Sequence, residues 1–465
     1  MRVFNRYFSV YDFVLVLGDV GVSVFAMLCV RATMFYFEIT VRPEWLLLCL
    51  QSVAVTIVVV LSFYYSDLYA IDQTLSTREL LLRFVGGIGL ACLLIGIISY
   101  PIPNFNRRLY ASEMILLVLG LCAWRVGFMR MIQKTPIRAM VVVVGLQTIG
   151  KLVAEELLRQ KKLGMQVIGF VGQGGGEVTL SYGNPVRVTL PIYQPSSLAN
   201  LFEQKGADRI LLAGTEGCEG ALGHELVNLR TRGVTIEDCH SFYERLVSKI
   251  AIADLSAEWL VRSEGFRRDR LVMVTKRVID IGAALISLIL SAPIMLLTAL
   301  AIRLETHGPI LYRQERVGQN GQSFTIYKFR SMSEGAEADV GPVWAAKGDS
   351  RVTRVGRLIR KLRIDEIPQM INVLKGEMSI VGPRPERPFF VQTLNKKIPY
   401  YSLRQSIKPG ITGWAQICYS YGDSEHDAIE KLQYDLYYMK NMSVLFDLQI
   451  LFESLKVVLL SRGAR

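Results

Sequence analysis

Apolar runs dominate the first 130 residues, and they limit the folds open to this chain more than any other feature. Phe13–Val30, Trp45–Phe63, Leu82–Tyr100 and Met114–Phe128 are almost free of charge. The first three approach the ~20 residues that a helix needs to cross a bilayer core, and the fourth reaches that length if its ends are stretched. The alternative is four buried helices of a soluble bundle. The overall composition, 51% hydrophobic with a positive mean hydropathy of +0.31, favours the membrane reading. The first run is too long for a signal-peptide core, and no small-residue cleavage site follows it, so it reads as a retained anchor. Arg2 and Arg6 precede the first run, while Arg125, Arg130, Lys134 and Arg138 end or follow the fourth. Basic residues favour the cytoplasmic side, so both ends of this segment are expected there. Arg107 and Arg108 in the third loop argue the other way. The expectation is a four-helix transmembrane domain over residues 1–134.

Charge separates the rest of the chain. The net charge is +12, of which +10 lies from Arg262 onward and +2 before it. The C-terminal part is therefore expected to meet anions: phosphates, nucleic acid or a lipid surface. The seven cysteines form no C-x-x-C pair and the four histidines form no H-E-x-x-H motif. Neither a disulfide framework nor a His-ligated metal is suggested.

Residues 135–260 read as a soluble, Rossmann-like α/β domain. "AMVVVVGLQTIG" is a buried strand entering a glycine turn and a helix, and "MQVIGFVG", "RILLAG" and "VTIEDC" are further strands. Gly145, Gly150 and Lys151 fit the spacing of a phosphate-binding loop, but Leu152 stands where a Ser or Thr must hold magnesium. The G-x-G-x-x-G spacing of dinucleotide folds is absent, and no tyrosine has a lysine four residues on. A structural role is expected.

The last unit, residues 261–465, opens with a fifth apolar run at 277–305, interrupted at Ser291-Ala292-Pro293. Proline removes a backbone donor and clashes with the preceding turn, so a sharp bend is expected there. Lys276, Arg277 and Arg303 flank the run, which favours entry and return on one side over a crossing. The expected re-entrant helix covers residues 277–303, with its break at Pro293. Beyond it, "LYRQERVGQNGQSFTIYKFR" is a β-hairpin pattern about Asn320-Gly321. In "RVTRVGRLIRKLRID" (351–365) arginine recurs every third residue. This predicts a basic amphipathic helix suited to an anionic membrane face, or else an ordinary solvated one. A second amphipathic helix closes the chain.

"RIDEIPQMINVLKGEMSIVGPRPERP" carries the strongest chemical signal. Pro368 suits the first turn of a helix, with Asp365 and Glu366 just ahead of it. Arg360, Arg363 and Arg384 supply cationic forks that match phosphate oxygens. Carboxylates alone repel phosphate. With Mg²⁺ and arginines they bind it, and a carboxylate can then attack phosphorus. The competing explanation is a purely structural acid–arginine network.

"KRVIDIGAA…SAP…GPILYRQERVGQNGQSFTIYKFRSM", "RVTRVGRLIRKLRIDEIPQMINVLKGEMSIVGPRP" and "KPGITGWAQI" resemble the bacterial sugar transferase family, the polyprenyl-phosphate phosphoglycosyl transferases. The motifs cover most of residues 270–420 in order. Four spans followed by a Rossmann-like (CoA-binding-like) unit are similar to the large members that initiate exopolysaccharide synthesis. The resemblance implies a fold of membrane α plus α/β, ending in an α+β catalytic domain with a re-entrant membrane hairpin. It implies transfer of sugar-1-phosphate from a UDP-sugar, glucose or galactose by comparison with the large members, to undecaprenyl phosphate, with release of UMP. Asp365 would be the nucleophile, and Glu366 would help it hold the Mg²⁺ cofactor. Lys328, Arg330, Arg360 and Arg384 would bind the donor. The implied setting is the bacterial inner (cytoplasmic) membrane, with the catalytic domain on the cytoplasmic side, membrane lipids as partners and no nucleic acid. The extra domains offer surfaces for a homodimer. Many relatives carry Ser directly before the proline, where this chain has Ala292, and Leu where it has Ile367.

Two rivals stand beside this reading. A nucleotide-sugar dehydratase or epimerase also joins four spans to a Rossmann unit, but needs the missing glycine fingerprint and Tyr-x-x-x-Lys pair. A non-catalytic membrane sensor or scaffold would make no lipid-linked product.

Overall fold

The computed structural model describes residues 2–3, 6–7, 10–36, 45–69, 77–99, 107–134, 139–160, 164–181, 187–214, 220–252, 255, 257–263, 265–266, 269–333, 351–419, 422 and 424–459. The chain divides into two compact units, Met1–Phe242 and Tyr243–Arg465. The division falls upstream of the boundary at 260 expected from the sequence pattern.

In the first unit the apolar runs form α1 (Val10–Tyr36), α2 (Trp45–Tyr65), α3 (Thr77–Ser99) and α4 (Arg107–Lys134). All four contribute to one core, through residues such as Ala26, Val59, Ala91 and Leu121. Their outer faces are also apolar: Phe25, Ile57, Leu93 and Leu119 are exposed. A helix that is apolar all round needs a non-aqueous surrounding. Among the described residues, Phe13–Val30, Met114–Met131 and Arg270–Glu305 are long and apolar enough to cross a membrane, and the apolar windows at Val53–Tyr65 and Leu81–Ile97 are shorter. Inside the group, Asp19 on α1 meets Arg125 on α4 at 2.6 Å, and Arg125 also donates to the Leu68 carbonyl. Pairing is what makes such charges tolerable in an apolar bundle. Of the basic residues used above for orientation, Arg138 and the side chains of Arg2, Arg6, Arg107, Arg108 and Lys134 lie outside the described residues.

The same unit holds a six-stranded sheet. It contains β1 (Ala139–Val144), β2 (Met165–Val171), β3 (Gly176–Ser181), β4 (Arg187–Tyr193), β5 (Ala207–Leu212) and β6 (Thr235–Asp238). The strand order is β3-β4-β2-β1-β5-β6, parallel except for β3 against β4. The valine run of β1 is buried on both faces, as a central parallel strand requires. The chain leaves it through Gly145 at φ 102°, a backbone open to glycine, and enters α5 (Thr148–Arg159), with α6 (Leu198–Lys205), α7 (Gly220–Thr231), α8 (Cys239–Val247) and α9 (Ala257–Arg262) later in the chain. The Gln147 side chain lies against Gly214, just beyond the end of β5.

The second unit gathers its core from Ile250, Ala284, Val373, Met378, Leu432, Leu436, Tyr437, Tyr438 and Ile450. Residues 243–252 belong to it through specific contacts. The Trp414 indole donates to the Ser248 carbonyl, Lys249 pairs with Glu430, and Glu244 accepts from Lys440 and Asn441.

Its longest element, α10 (Arg270–Glu305), runs helically through Pro293, where a break into two elements was expected. Proline costs a helix one donor, which kinks a helix without having to end it. Two residues before the proline, Ser291 Oγ donates to the Ser287 carbonyl at 2.6 Å. Both ends of α10 are gripped by the second unit. Near the start, Lys276 reaches Asp447 at 2.6 Å and the Val381 carbonyl at 3.0 Å. Arg277 donates to the carbonyls of Val373 and Leu374, and Asp280 accepts from Ser379 and Ile380. Near the end, Ile302 packs with Phe329 and Ile359, and Glu305 accepts the backbone N–H groups of Arg354 and Val355. The stretch between is apolar and bare, with Leu290 73% exposed.

The hairpin expected about Asn320-Gly321 is present. β7 (Leu311–Val317) and β8 (Ser323–Phe329) pair antiparallel from Val317 opposite Ser323, and Asn320 and Gly321 both take positive φ. The basic helix is shorter than the pattern predicts: α11 covers only Arg354–Lys361. It ends because Arg363 turns left-handed at φ 58° and the chain enters a 3-10 turn, Ile364–Gln369. The helix α12 (Met370–Lys375) follows, then β9 (Ser379–Val381), α13 (Pro388–Lys397), β10 (Gly410–Thr412), α14 (Trp414–Cys418), α15 (Glu425–Lys440) and α16 (Val444–Leu459). Asp365, Glu366 and Pro368 therefore sit inside the turn, not ahead of a helix that starts at Pro368.

Candidate active site

The turn Ile364–Gln369 buries two adjacent carboxylates, Asp365 at 7% and Glu366 at 9% exposure. Buried charges persist only when paired. Glu366 is paired three times. Lys328 Nζ lies 2.8 Å and Arg384 Nη2 3.1 Å from its Oε1, and Arg363 Nη1 lies 3.4 Å from Oε2. Those cations hold Glu366 well below the usual carboxylate range, against the opposing effect of burial.

Asp365 has the opposite balance. Its Oδ1 is buried with no hydrogen-bond partner among the described residues. Burial first, and the Glu366 charge second, push its carboxyl up to about 6, while Lys328, Arg360 and Arg363 pull it down. One turn thus carries a firmly ionised acid and a neighbour that titrates nearer neutral pH and has an unpartnered, buried oxygen, the kind of divergence found at reacting sites.

The cations reach the turn from different elements. Lys328 comes from β8, which is packed beside the turn through Asn372. That buried amide accepts from the Tyr327 N–H and donates to the Thr325 carbonyl. Arg384 comes from the Gly382–Glu386 loop after β9. This loop is held by its backbone: Arg316 donates to the Pro385 carbonyl, Arg404 to the Arg384 carbonyl, and Val317 N–H to the Glu386 carbonyl. Burial brings Arg316 down to about 10, so it remains charged at neutral pH.

Six of the seven polar residues singled out for this site converge: Glu366 in direct contact with Lys328, Arg363 and Arg384, Asp365 beside it in the same turn, and Arg360 near enough to lower the Asp365 carboxyl. Arg330 is not brought to the acids. It is buried with both Nη atoms on the segment after α10, donating to the carbonyls of His307 and Thr306 and to the Thr306 hydroxyl. This is the usual use of a cation at a helix C-terminus. Pro293 lies in the bare stretch of α10. The residues that sequence reasoning missed are Asn372, Arg316 and Arg404. Their signal would have been a polar side chain in an apolar or proline-rich setting, which marks burial with a partner but not which partner.

Mg²⁺ can be weighed against these residues. No cluster of three or more His, Cys, Asp or Glu able to hold a metal exists among the described residues. A hard cation that keeps waters and shares substrate phosphates needs only one or two carboxylates. Asp365 Oδ1 has no partner among the described residues, whereas both Glu366 oxygens are engaged by Lys328, Arg363 and Arg384. Asp365 therefore offers such a cation a ligand atom, and Glu366 would have to share oxygens that its cations now hold.

Comparison with known proteins gives a consistent picture. The profile described as "Bacterial sugar transferase" matches residues 271–461. The chain is 48% identical over 190 residues to a UDP-N-acetylgalactosamine-undecaprenyl-phosphate N-acetylgalactosaminephosphotransferase of Aeromonas hydrophila, covering 41% of this chain and 45% of that protein. It is 34% identical over 330 residues to the UDP-glucose:undecaprenyl-phosphate glucose-1-phosphate transferase of Escherichia coli K12, covering 68% of this chain and 66% of that one. That match is longer than the second unit, so the likeness extends into the first. A protein of the same description from Caulobacter vibrioides is 40% identical over 195 residues, 42% of this chain and 73% of its own length. The chain thus spans less than two thirds of the Aeromonas and E. coli relatives.

Proposed function

This chain belongs to the bacterial sugar transferase family, and from that premise we propose that it transfers a sugar-1-phosphate from a UDP-sugar to undecaprenyl phosphate, releasing UMP, as the first membrane step of exopolysaccharide synthesis. The observation that carries the reading is the acid pair: Glu366 neutralised by Lys328, Arg363 and Arg384, beside Asp365 with an unpartnered oxygen.

The chemistry runs in two displacements. The Asp365 carboxylate attacks the β-phosphorus of the donor. A new O–P bond forms, the bond to the bridging oxygen breaks, and UMP departs with its electron pair. A phosphate oxygen of undecaprenyl phosphate then attacks the same phosphorus and expels the Asp365 carboxylate. Two steps suit a soluble donor and a membrane-bound acceptor, because each can visit the site in turn. Lys328, Arg360 and Arg384 bind the diphosphate, and Glu366 keeps Lys328 and Arg384 in place between turnovers. Asp365 and Glu366 would hold Mg²⁺, which would supply charge neutralisation to the diphosphate when bound. Arg330 secures the end of α10 near the site.

The enzyme sits in the bacterial cytoplasmic membrane, with α1–α4 as spans and its second unit facing the cytoplasm, where nucleotide sugars are made. There α10 enters and returns as a re-entrant hairpin bent at Pro293. This is supported by the grip of one unit on both Arg277 and Glu305 around a bare apolar middle. The resemblance points to UDP-glucose or UDP-galactose. The relatives are named for glucose and for N-acetylgalactosamine, so all three belong in the test. The test incubates the purified protein in lipid nanodiscs with each UDP-sugar, Mg²⁺ and undecaprenyl phosphate. The expected result is UMP and a lipid diphosphate-sugar with at least one donor. Without acceptor, UMP release should stop near one equivalent, with a sugar-phosphate adduct on the peptide carrying Asp365. Turnover of a donor by a sequential route with no adduct would refute the intermediate. No lipid product with any donor would refute the transferase reading.

A further inference from the structure

Behind Arg384 lies a buried network that the transfer chemistry does not itself require. Arg404, on the 3-10 turn Tyr401–Ser406, is 7% exposed and Asp435 of α15 only 1%. Arg404 Nη2 lies 2.9 Å from Asp435 Oδ2 and donates to the Arg384 carbonyl at 2.9 Å. Arg404 Nη1 donates to the Tyr401 hydroxyl at 2.7 Å. Burying a guanidinium and a carboxylate is expensive and usually adds little stability over an apolar pair. What the pair adds is a rigid, strongly donating fork aimed at one backbone carbonyl. That carbonyl belongs to the residue whose own guanidinium reaches Glu366 from the other side.

We propose that Arg404 is a positioning residue for the donor site: held by Asp435 and Tyr401, it fixes the backbone of Arg384 and so sets that guanidinium where the donor diphosphate binds. The inference rests on the transferase reading, since it assumes that Arg384 meets the diphosphate. Arg316 grips the next carbonyl, Pro385, at 3.0 Å. A buried arginine, Arg404, and a half-buried one, Arg316, thus hold consecutive peptide groups of one loop. A loop with proline on both sides of Arg384 has few backbone donors of its own, so side chains from outside must provide its hydrogen bonds. Arg404 makes no contact with the acid pair, so its effect on the reaction must pass through Arg384.

The test is a double-mutant cycle read by donor binding and by turnover. Calorimetry with UDP-glucose and UDP-N-acetylgalactosamine is run on wild type, Arg404→Lys, Tyr401→Phe, Arg384→Ala and the two doubles, each checked for folding by thermal melting. Arg404→Lys loses the planar fork and is expected to weaken donor binding and raise the donor KM by about tenfold, the scale of one charged hydrogen bond. The KM for undecaprenyl phosphate should not change. Tyr401→Phe removes a single oxygen and should act in the same direction, more weakly, if Arg404→Lys proves too unstable to purify. In the Arg384→Ala background either change is expected to shift donor affinity by less than about twofold. Losses that multiply in the doubles, or a folded Arg404→Lys and Tyr401→Phe with unchanged donor affinity, would overturn the positioning role while leaving an active wild type intact. A wild type that neither binds nor turns over a donor would overturn the underlying reading, and the positioning role with it.

Discussion

Lys328 Nζ lies 2.8 Å from Glu366 Oε1, joining a β-strand to a turn 38 residues further along the chain. The contact makes one carboxylate of the Asp365–Glu366 pair a firm anion and leaves the other as the variable one. Side chains that are neighbours in sequence acquire different chemistry because Glu366 meets three cations directly while Asp365 Oδ1 meets no partner among the described residues. Glu366→Gln keeps the shape and removes the charge that organises Lys328, Arg363 and Arg384. Turnover is expected to fall by about 10²-fold, the scale of losing one preorganised electrostatic contact. Steady-state release of UMP measures it, and a fall of less than about threefold would remove Glu366 from the reaction.

Asp365→Asn is expected to abolish transfer and at the same time stabilise the fold. The carboxyl of Asp365 is raised to about 6 from an unfolded value near 4. Between those values the folded chain keeps a proton that the unfolded chain has released, so stability falls as pH rises through the window and stays lower above it. The amide escapes this penalty, and the gain should be on the order of 1–2 kcal/mol at pH 7.5. Denaturant unfolding of the second unit reads the gain, and turnover reads the loss. An active Asp365→Asn enzyme, or one less stable than wild type, contradicts the assignment.

The same balance predicts a pH profile. Attack needs the ionised carboxylate, so kcat/KM for the donor should drop on the acid side, at or below the value of about 6 that the metal-free carboxyl has, since a bound Mg²⁺ would lower it further. Glu366, held far lower by its three cations, should add no second step in that range. Lys328→Gln removes a cation that lowers the Asp365 carboxyl, so the limb should move to higher pH. A limb that stays in place would show that another group titrates.

If α10 enters and leaves the membrane on one side, single cysteines at Arg277 and Arg303 should react with an impermeant reagent from the same face of sealed vesicles. Labelling from opposite faces would make α10 a crossing helix. Pro293→Leu restores a backbone donor and removes the ring clash, so it should shift the segment toward crossing and lower transfer. Leu290 and its exposed neighbours would then have to span the hydrocarbon.

The Rossmann-like part is expected to do no chemistry, so a fragment carrying only the second unit should keep measurable transfer. Where that fragment begins matters. Starting near residue 240 keeps Glu244, Ser248 and Lys249, with their bonds to Lys440, Trp414 and Glu430. Starting at Arg262 removes them and leaves the Trp414 indole without its acceptor, a loss of about 1–3 kcal/mol for that group alone. The longer fragment should melt at a clearly higher temperature. Complete loss of turnover in a folded longer fragment would make the sheet a participant.

Much of this molecule was decided by patterns that act over a few residues. Apolar runs of spanning length, the valine strand entering Gly145, and Asn320-Gly321 between alternating strands each determine their element, because the relevant forces are local: burial by periodicity, and φ allowed by side-chain sterics. The motifs also named Asp365, Glu366, Lys328, Arg360 and Arg384, since so many arginines beside adjacent acids suit few chemistries. Tertiary structure decided what those residues do to one another. It placed the acids inside a 3-10 turn rather than ahead of a helix, because a left-handed Arg363 cut α11 short. It gave Glu366 three cations and Asp365 an empty oxygen, turned Arg330 away to the end of α10, and put Arg404 beneath the Arg384 carbonyl. A charge's effect depends on distance and burial, which come from segments far apart in the chain. No local pattern of arginines carries that information.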